Sequence, residues 1–285
     1  MFTTLISAEQ LQALQTSRQA LVVFDCSYEL MKPESGADQY LQSHIAGALH
    51  ADLHHHLSAQ PGRAQASGGR HPLPSREDFA AWLASIGFDN TTQAVVYDRQ
   101  GANYCGRLWW MLKWVGHEAV AVLDGGLQAW QAAGGALASG TDSARQAIRF
   151  ELTAAKTRLS TVQEVARQLG QAGQSLLDAR AAARFKGEVE PLDPVAGHIP
   201  GALNRSFVQN FGPDGKFKSA QQLRTEFLDL LGDNANDSVV HQCGSGVSAV
   251  PNLLAMEIAG LGRGALFAGS WSEWCSDPQR PVAKG

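Results

Sequence analysis

The chain repeats one sequence plan along its 285 residues, and this repeat restricts the possible folds more than any other feature. The segment from Ser75 to Asp98 has a counterpart from Ser219 to Gln242, at an offset of 144 residues. The same offset relates a later tryptophan in each half, Trp130 and Trp274. Because a duplicated plan builds a duplicated fold, we predict two similar domains, one over residues 1–140 and the other over residues 155–285.

Upstream landmarks repeat at a different offset. The segment His44-Ile-Ala-Gly-Ala-Leu49 parallels His198-Ile-Pro-Gly-Ala-Leu203 at an offset of 154. The first half therefore carries about ten extra residues between 50 and 74, and their Gly, Pro and Ser content predicts a long loop. Apolar periodicity lapses between 136 and 155, which predicts the linker between the domains.

Each half alternates short β-branched runs with helical patterns. In the first half we predict strands near 21–25, 94–98 and 120–123, and helices near 75–87 and 106–116. This alternation is typical of an α/β fold in which helices cover both faces of a mainly parallel sheet. The fold class predicted for both domains is therefore α/β.

The composition excludes several classes of partner. The 23 basic and 27 acidic residues give a net charge of −4, without a Lys/Arg run, so we expect neither nucleic acid nor an anionic membrane surface as a partner. No apolar run approaches the length of a membrane span, and the first residues lack the pattern of a signal peptide. The four cysteines form no Cys-x-x-Cys pair, which favours reduced thiols and a cytoplasmic location.

The most informative segment is Cys243-Gly-Ser-Gly-Val-Ser-Ala249, which lies between a predicted strand and a helix predicted over 250–259. Gly244 and Gly246 allow a tight loop whose amide groups turn inward, and the helix that follows begins with its positive end facing the sulfur. Such surroundings stabilise a thiolate. We therefore predict Cys243 as a nucleophile, whereas the other three cysteines (Cys26, Cys105 and Cys275) are predicted to be buried structural residues.

Phosphatases and arsenate reductases also place a cysteine between a strand and a helix, but they carry an arginine six residues later. Here that position is Ala249. Without a guanidinium at this point the loop cannot hold a phosphate in bidentate fashion, so these activities are disfavoured.

The duplicated plan, the two His-Ile-x-Gly-Ala-Leu segments, the Cys-Gly-Ser-Gly-Val-Ser loop and the ending Gly269-Ser-Trp-Ser-Glu-Trp274 resemble the tandem rhodanese family. This family includes thiosulfate and 3-mercaptopyruvate sulfurtransferases. The resemblance implies that the second domain carries sulfur on Cys243 and that the first domain is an inactive copy. At an offset of 144, the position in the first half that matches Cys243 is Arg99.

The resemblance also implies roles for residues around the loop. The residues after Cys243 lack the basic side chains of thiosulfate enzymes and resemble those of mercaptopyruvate enzymes, with Ser248 in place of a threonine. Arg184 matches an arginine that binds the donor's anionic group, and His71 matches a histidine that approaches the loop serine, Ser245. Substrate binding is also assigned to the loop residues Gly244, Gly246, Val247 and Ser248.

Two positions depart from the family pattern. The second arginine expected about nine residues after Arg184 is missing, and Asp193 stands near its place. The acidic partner expected before His71 maps onto His54, with Asp52 two residues earlier. The run His54-His55-His56 is interpreted as an exposed loop rather than a metal site, because adjacent histidines point apart.

The resulting hypothesis is a sulfurtransferase that passes sulfur from 3-mercaptopyruvate or thiosulfate to a thiol, a thioredoxin-like protein or cyanide through a Cys243 persulfide. The amides of residues 244–248 would stabilise the charge. No metal or organic cofactor is implied. The alternative is a non-catalytic rhodanese-like binding or regulatory module.

Overall fold

The computed structural model describes residues 1–142, 145–171, 173, 175–234 and 237–285. These form two compact units, of which the first comprises residues 1–64, 74–156 and 213–216, and the second residues 65–73, 157–212 and 217–285. Residues 143 and 144 of the predicted linker lie outside the described residues. Segment 65–73 therefore belongs to the second unit, although it lies in the first half of the sequence. The domain ranges 1–140 and 155–285 stay a prediction.

The first unit contains a parallel sheet with the strand order β1-β6-β5-β2-β4 and an antiparallel pair, β3 with β7. Its strands are β1 (Leu5–Ile6), β2 (Leu21–Asp25), β3 (His44–Ile45), β4 (Leu49–His50), β5 (Gln93–Tyr97), β6 (Val120–Leu123) and β7 (Leu137–Ala138). Its helices are α1 (Ala8–Gln15), α2 (Ser35–Gln42), α3 (Arg76–Ser85), α4 (Cys105–Trp114) and α5 (Gly126–Ala132).

The second unit contains one parallel sheet, with the strand order β10-β9-β11-β12-β8. Its strands are β8 (Arg158–Leu159), β9 (Leu176–Asp178), β10 (Leu203–Asn204), β11 (Val240–Gln242) and β12 (Ala265–Leu266). Its α-helices are α6 (Val162–Arg167), α7 (Ala182–Phe185), α8 (Ala220–Leu231), α9 (Val250–Ile258) and α10 (Ser270–Trp274), and short 3₁₀ turns span Phe207–Asn210 and Gly232–Asn234. The two sheets have equivalent strand orders, as expected for a repeat.

The alternation of residues along β2 explains why helices cover both faces of the first sheet. Val23 packs in one core with Leu11 of α1 and Trp130 of α5. The next residue, Phe24, points to the opposite face, where its ring centroid lies 6.1 Å from that of Trp82 in α3. The predicted α/β class is confirmed, and each of the five elements predicted in the first half is present within two residues of its expected bounds.

The repeated serines that first indicated the duplication are helix caps. The Ser75 hydroxyl accepts a hydrogen bond from the Asp78 amide at the start of α3, at 3.0 Å. The Ser219 hydroxyl accepts one from the Gln222 amide at the start of α8, at 3.3 Å. Each satisfies an amide that has no partner within its helix. No described helix combines the length and the apolar character needed to cross a bilayer.

His241 lies at the centre of the second sheet and is fully buried. Neither ring nitrogen has a hydrogen-bond partner in the described part of the chain. Burial lowers the pKa of His241 from 6.5 to about 3, because a charged imidazole cannot be solvated there. Below pH 6.5 the unfolded chain therefore binds a proton that the folded chain does not, and stability falls as the pH decreases.

We expect His241→Leu to remove this acid sensitivity. Between pH 7 and pH 5 the histidine costs the folded state about 2 kcal/mol, so the variant should lose about that much less stability over this range. At pH 7 it should be at least as stable as the wild type, because an unpaired buried polar group is removed. Urea unfolding at both pH values measures this. His55→Gln, at an exposed histidine, is the control and should keep the wild-type pH dependence.

Candidate active site

Cys243 directly follows β11, at the carboxyl edge of the second sheet, and its residue is 2% exposed. The loop from 244 to 249 then leads into α9 (Val250–Ile258). This order places the thiol before the amino end of a helix, where amide groups and the helix dipole favour negative charge. The cysteine therefore lies where parallel α/β sheets bind their ligands.

A second loop, after β12, fixes the backbone around the cysteine. The Cys243 amide donates a hydrogen bond to the Ser270 hydroxyl at 3.0 Å, and the Cys243 carbonyl accepts one from the Trp271 amide at 3.0 Å. The Ser270 oxygen also lies 4.0 Å from the Cys243 sulfur. Ser270 has a φ of 55°, a strained value for a residue with a side chain. These contacts indicate that Ser270 positions the cysteine, a role that the sequence did not reveal.

The two loop glycines are required for different reasons. Gly246 has a φ of 73°, and a Cβ atom built on it would lie 2.1 Å from the carbonyl oxygen of Ala268. Only glycine fits there. At Gly244 the neighbours are side chains instead, because a Cβ atom would lie 3.3 Å from Arg70 Nη2 and 3.5 Å from Arg184 Nη1. Two guanidinium groups therefore lie over the residue that follows the cysteine.

The strand register corrects the predicted counterpart of Cys243 in the first unit. Val240 pairs with Leu176 in the second sheet, and Val95 pairs with Val23 in the first. The local offset is thus 145 rather than 144, which matches Cys243 with Asp98 and not with Arg99. The hydrogen bond from the Leu127 amide to the Asp98 carbonyl, 3.2 Å, agrees with this assignment. The sequence offset was wrong here because the connection before the strand is one residue longer in the second unit, and the connection after it is one residue shorter.

Asp98 demonstrates what this type of loop binds. Its carboxylate accepts four backbone hydrogen bonds, of 2.8 to 3.1 Å, from the amides of Gln100, Ala102, Tyr104 and Cys105. The loop before α4 is therefore an anion-binding nest that is filled by the protein's own carboxylate. Arg99 instead pairs with Asp25, 3.1 Å away. The first unit has no cysteine at this position and no room in the nest for another anion.

In the corresponding loop of the second unit, several backbone amides lack hydrogen-bond acceptors among the described residues. Within the described part of the chain, no protein group accepts a hydrogen bond from the amides of Ser245, Val247 and Ser248. Ser245 and Val247 are buried. Buried amides without partners are rare and mark places where an anion is stabilised. In the second unit the residue equivalent to Asp98 is Cys243. This equivalence supports the prediction that residues 244–248 stabilise a sulfur anion.

His71 reaches the loop from segment 65–73. Its Nδ1 lies 2.8 Å from the Ser245 hydroxyl, and both residues are buried. The Arg70 amide donates a hydrogen bond to the Ser272 hydroxyl at 3.0 Å, which anchors the segment beside the same loop. The structure thus brings together the predicted pair. Asp52 is the acidic residue nearest in sequence to the expected partner of His71. One of its carboxylate oxygens accepts hydrogen bonds from the amides of His54 and His55, at 2.8 Å each.

Arg184 lies on α7 within a group of buried charges. Its Nη2 donates to Glu190 at 2.6 Å and lies 3.3 Å from Asp193. Burial alone would raise the pKa of Glu190, but hydrogen bonds from Arg184 and the Leu192 amide lower it below its ordinary value. Asp193 stands where a second arginine was expected, and it accepts a hydrogen bond from Arg70 Nη1 at 2.7 Å.

The other three cysteines and the histidine run have surroundings typical of structural residues. Cys26, Cys105 and Cys275 are buried and free, and burial raises the pKa of each. No cluster of three or more metal-ligating side chains occurs among the described residues. His56 stacks on Trp82 with ring centroids 5.1 Å apart, and burial lowers its pKa to about 4, so it stays neutral.

Comparison with known proteins agrees with this architecture. The sequence model of the rhodanese-like domain matches residues 7–133 and 161–277. The chain belongs to the rhodanese family. A probable 3-mercaptopyruvate sulfurtransferase of Pseudomonas aeruginosa is 46% identical over 99% of this chain and 98% of that protein.

Other rhodanese relatives differ in the donor that they are named for. A putative thiosulfate sulfurtransferase of Mycobacterium tuberculosis is 38% identical over 99% of this chain and 97% of its own length. The structure of a 3-mercaptopyruvate sulfurtransferase from Leishmania major superposes with a TM-score of 0.83 and 31% identity, covering 98% of this chain and 75% of that one. The prediction of a tandem rhodanese sulfurtransferase is confirmed at the level of family, fold and reaction class.

The loop geometry of this rhodanese leads to a prediction for Gly246→Ala. The added methyl group would collide with the Ala268 carbonyl, so the loop that carries the amides of residues 244–248 must shift relative to Cys243. We expect alkylation of Cys243 by iodoacetamide to slow roughly tenfold or more, and thermal stability to fall.

Gly201→Ala is the matched control for Gly246→Ala. Gly201 has a similar φ of 80°, but no neighbouring atom lies within 4 Å of the place that a Cβ atom would take. This variant should lose only about 1–2 kcal/mol of stability through backbone strain and keep the wild-type alkylation rate. Equal rates of alkylation in the two variants would contradict the role given to the loop.

Proposed function

We propose that this protein transfers sulfur from 3-mercaptopyruvate to a thiol acceptor through a persulfide on Cys243. The observation that carries the proposal is the pair of equivalent loops, one closed around the Asp98 carboxylate and the other presenting Cys243 beside amides without acceptors among the described residues. A loop that binds a carboxylate in one copy is suited to a thiolate or persulfide anion in the other.

The first step forms a sulfur–sulfur bond. The Cys243 thiolate attacks the sulfur of the donor, and the donor's carbon–sulfur bond breaks, leaving its electron pair as the enolate of pyruvate. The proton of the donor thiol ends on the enolate carbon, so the products are pyruvate and the Cys243 persulfide anion. Ser245 and His71, 2.8 Å apart, are suited to move this proton.

The second step discharges the persulfide. An acceptor thiolate attacks the outer sulfur atom and leaves with it, and the Cys243 thiolate is regenerated. The loop amides stabilise the anion before and after this transfer. A thioredoxin-like dithiol is a suitable acceptor, because its second thiol can release the sulfur as hydrogen sulfide. A cytoplasmic location is part of the proposal, since all four cysteines are free.

The preference for mercaptopyruvate rests on the loop and the relatives. No basic side chain occurs between Cys243 and Ala249. The most similar of the relatives described above, 46% identical, is named for mercaptopyruvate. Arg184 lies next to the loop and supplies a guanidinium that suits a carboxylate.

Mass spectrometry tests the persulfide directly. After incubation with mercaptopyruvate and without an acceptor, the peptide that contains Cys243 should gain the mass of one sulfur atom. Cys243→Ser should abolish the adduct and lower turnover to background. Cys275→Ser, at another buried thiol of the same unit, should retain both. The absence of an adduct in folded wild-type protein, with either mercaptopyruvate or thiosulfate, would favour the non-catalytic binding module.

The proposed proton transfer predicts a difference between donors. Ser245→Ala and His71→Gln should each lower kcat for mercaptopyruvate by about 10²-fold or more, because the pyruvate enolate must be protonated. The double variant should lose no more than either single variant, since the two residues act as a unit. With thiosulfate the leaving group is sulfite, which needs no proton, so the losses should be much smaller. Equal losses with both donors, measured by steady-state kinetics, would contradict proton transfer by this pair.

A further inference from the structure

Arg70 belongs to segment 65–73, which contributes to the second unit from the opposite half of the sequence. Four contacts hold this segment on the unit: the Gly68 amide with Glu273, the Arg70 amide with Ser272, the Arg70 side chain with Asp193, and His71 with Ser245. The segment is therefore a structural part of the rim around Cys243, and Arg70 is held at a defined place in it.

The guanidinium of Arg70 ends a chain of alternating charges. The successive N···O distances are 2.7, 3.4, 2.6, 3.3 and 2.7 Å along Asp178, Arg180, Glu190, Arg184, Asp193 and Arg70. Asp193 is 4% exposed at its side chain and lies between the last two arginines. Its carboxylate, which replaces an expected arginine, therefore orients two arginines that come from distant parts of the sequence.

This arrangement leaves donors directed at the loop. Within the described residues, Arg184 uses Nε and Nη2 for its acidic partners, and its Nη1 has no acceptor. Arg70 uses Nη1, while its Nη2 has no acceptor and its Nε is buried without one. Arg184 Nη1 and Arg70 Nη2 are the groups that lie over Gly244. Both side chains are partly exposed, 25% for Arg70 and 19% for Arg184, so these two N–H groups are open to a ligand that enters above the loop.

We propose that Arg70 is the second substrate-binding arginine and that it binds the donor's carboxylate together with Arg184. This inference rests on the proposed function and specifies its donor site. Two guanidinium groups on one side of Cys243 favour a donor whose anionic group lies beyond the sulfur, as in an α-keto acid thiol. The role of Asp193 is to position both arginines, since it contacts them and not the loop.

Alkylation of Cys243 provides a test that does not depend on sulfur transfer. Iodoacetate and iodoacetamide react at the same carbon and differ in that only iodoacetate carries a carboxylate. In Arg70→Gln the rate with iodoacetate should fall about tenfold or more, the effect of losing a hydrogen bond to a charged group, while the rate with iodoacetamide changes less than about twofold. Arg70→Lys should recover part of the loss, because it keeps the charge without the fork.

Arg63→Gln is the matched control, since it removes another arginine–aspartate pair, with Asp78, from the same loop region of the sequence. It should leave both alkylation rates unchanged. An equal loss with the two reagents in Arg70→Gln, or no loss with iodoacetate, would overturn the role of Arg70 as an anion ligand.

Donor kinetics form the second arm. Arg70→Gln should raise KM for mercaptopyruvate about tenfold or more, while the rate at which a preformed Cys243 persulfide is discharged to a thiol stays within about twofold of wild type. An unchanged KM would overturn the inference and leave the proposed function intact. If the wild type forms no persulfide but iodoacetate selectivity still depends on Arg70, the anion site stands and the proposed function fails.

Discussion

Both halves of this protein have to accommodate backbone amides without helical partners in the loop beyond a central strand. Amide groups at the start of a helix have no partner within the helix, and burying them is unfavourable unless an anion accepts them. The first unit solves this problem with its own aspartate, whose carboxylate takes four amides. In the second unit the equivalent residue is Cys243. The same fold therefore yields a closed structural site in one copy and, in the function proposed above, a reactive sulfur in the other.

The surroundings of Cys243 serve to keep this loop in shape. Gly246 passes so close to the Ala268 carbonyl that no side chain could be accommodated, and Ser270 accepts the amide of the cysteine itself. Both contacts join the loop after β11 to the loop after β12. Since parallel strands end at the same edge of a sheet, neighbouring loops can support each other in this way. The strained φ of Ser270 is maintained by these bonds.

The charged side chains near the site nearly all neutralise each other in pairs. Three carboxylates and three guanidinium groups alternate between Asp178 and Arg70, so each charge has an opposite neighbour. Buried ions are tolerated only when they are paired in this manner. The pairing uses some of the N–H groups of each arginine and holds the guanidinium planes in place. In the proposed donor site the carboxylate would meet the remaining N–H groups already held in place, which lowers the cost of binding it.

Local sequence patterns were enough to predict much of this protein. The repeat predicted two α/β units, periodicity located the strands and helices, and the glycines around Cys243 identified the loop of the candidate active site. Packing was needed to find which residue of the first unit matches Cys243, because a difference of one residue in loop length moves the counterpart from Arg99 to Asp98. Packing also placed Arg70 beside Asp193, 123 residues away in sequence, and Ser270 beside Cys243. Periodicity and propensity report the conformation of neighbouring residues, whereas contacts between distant segments are set by how the elements pack.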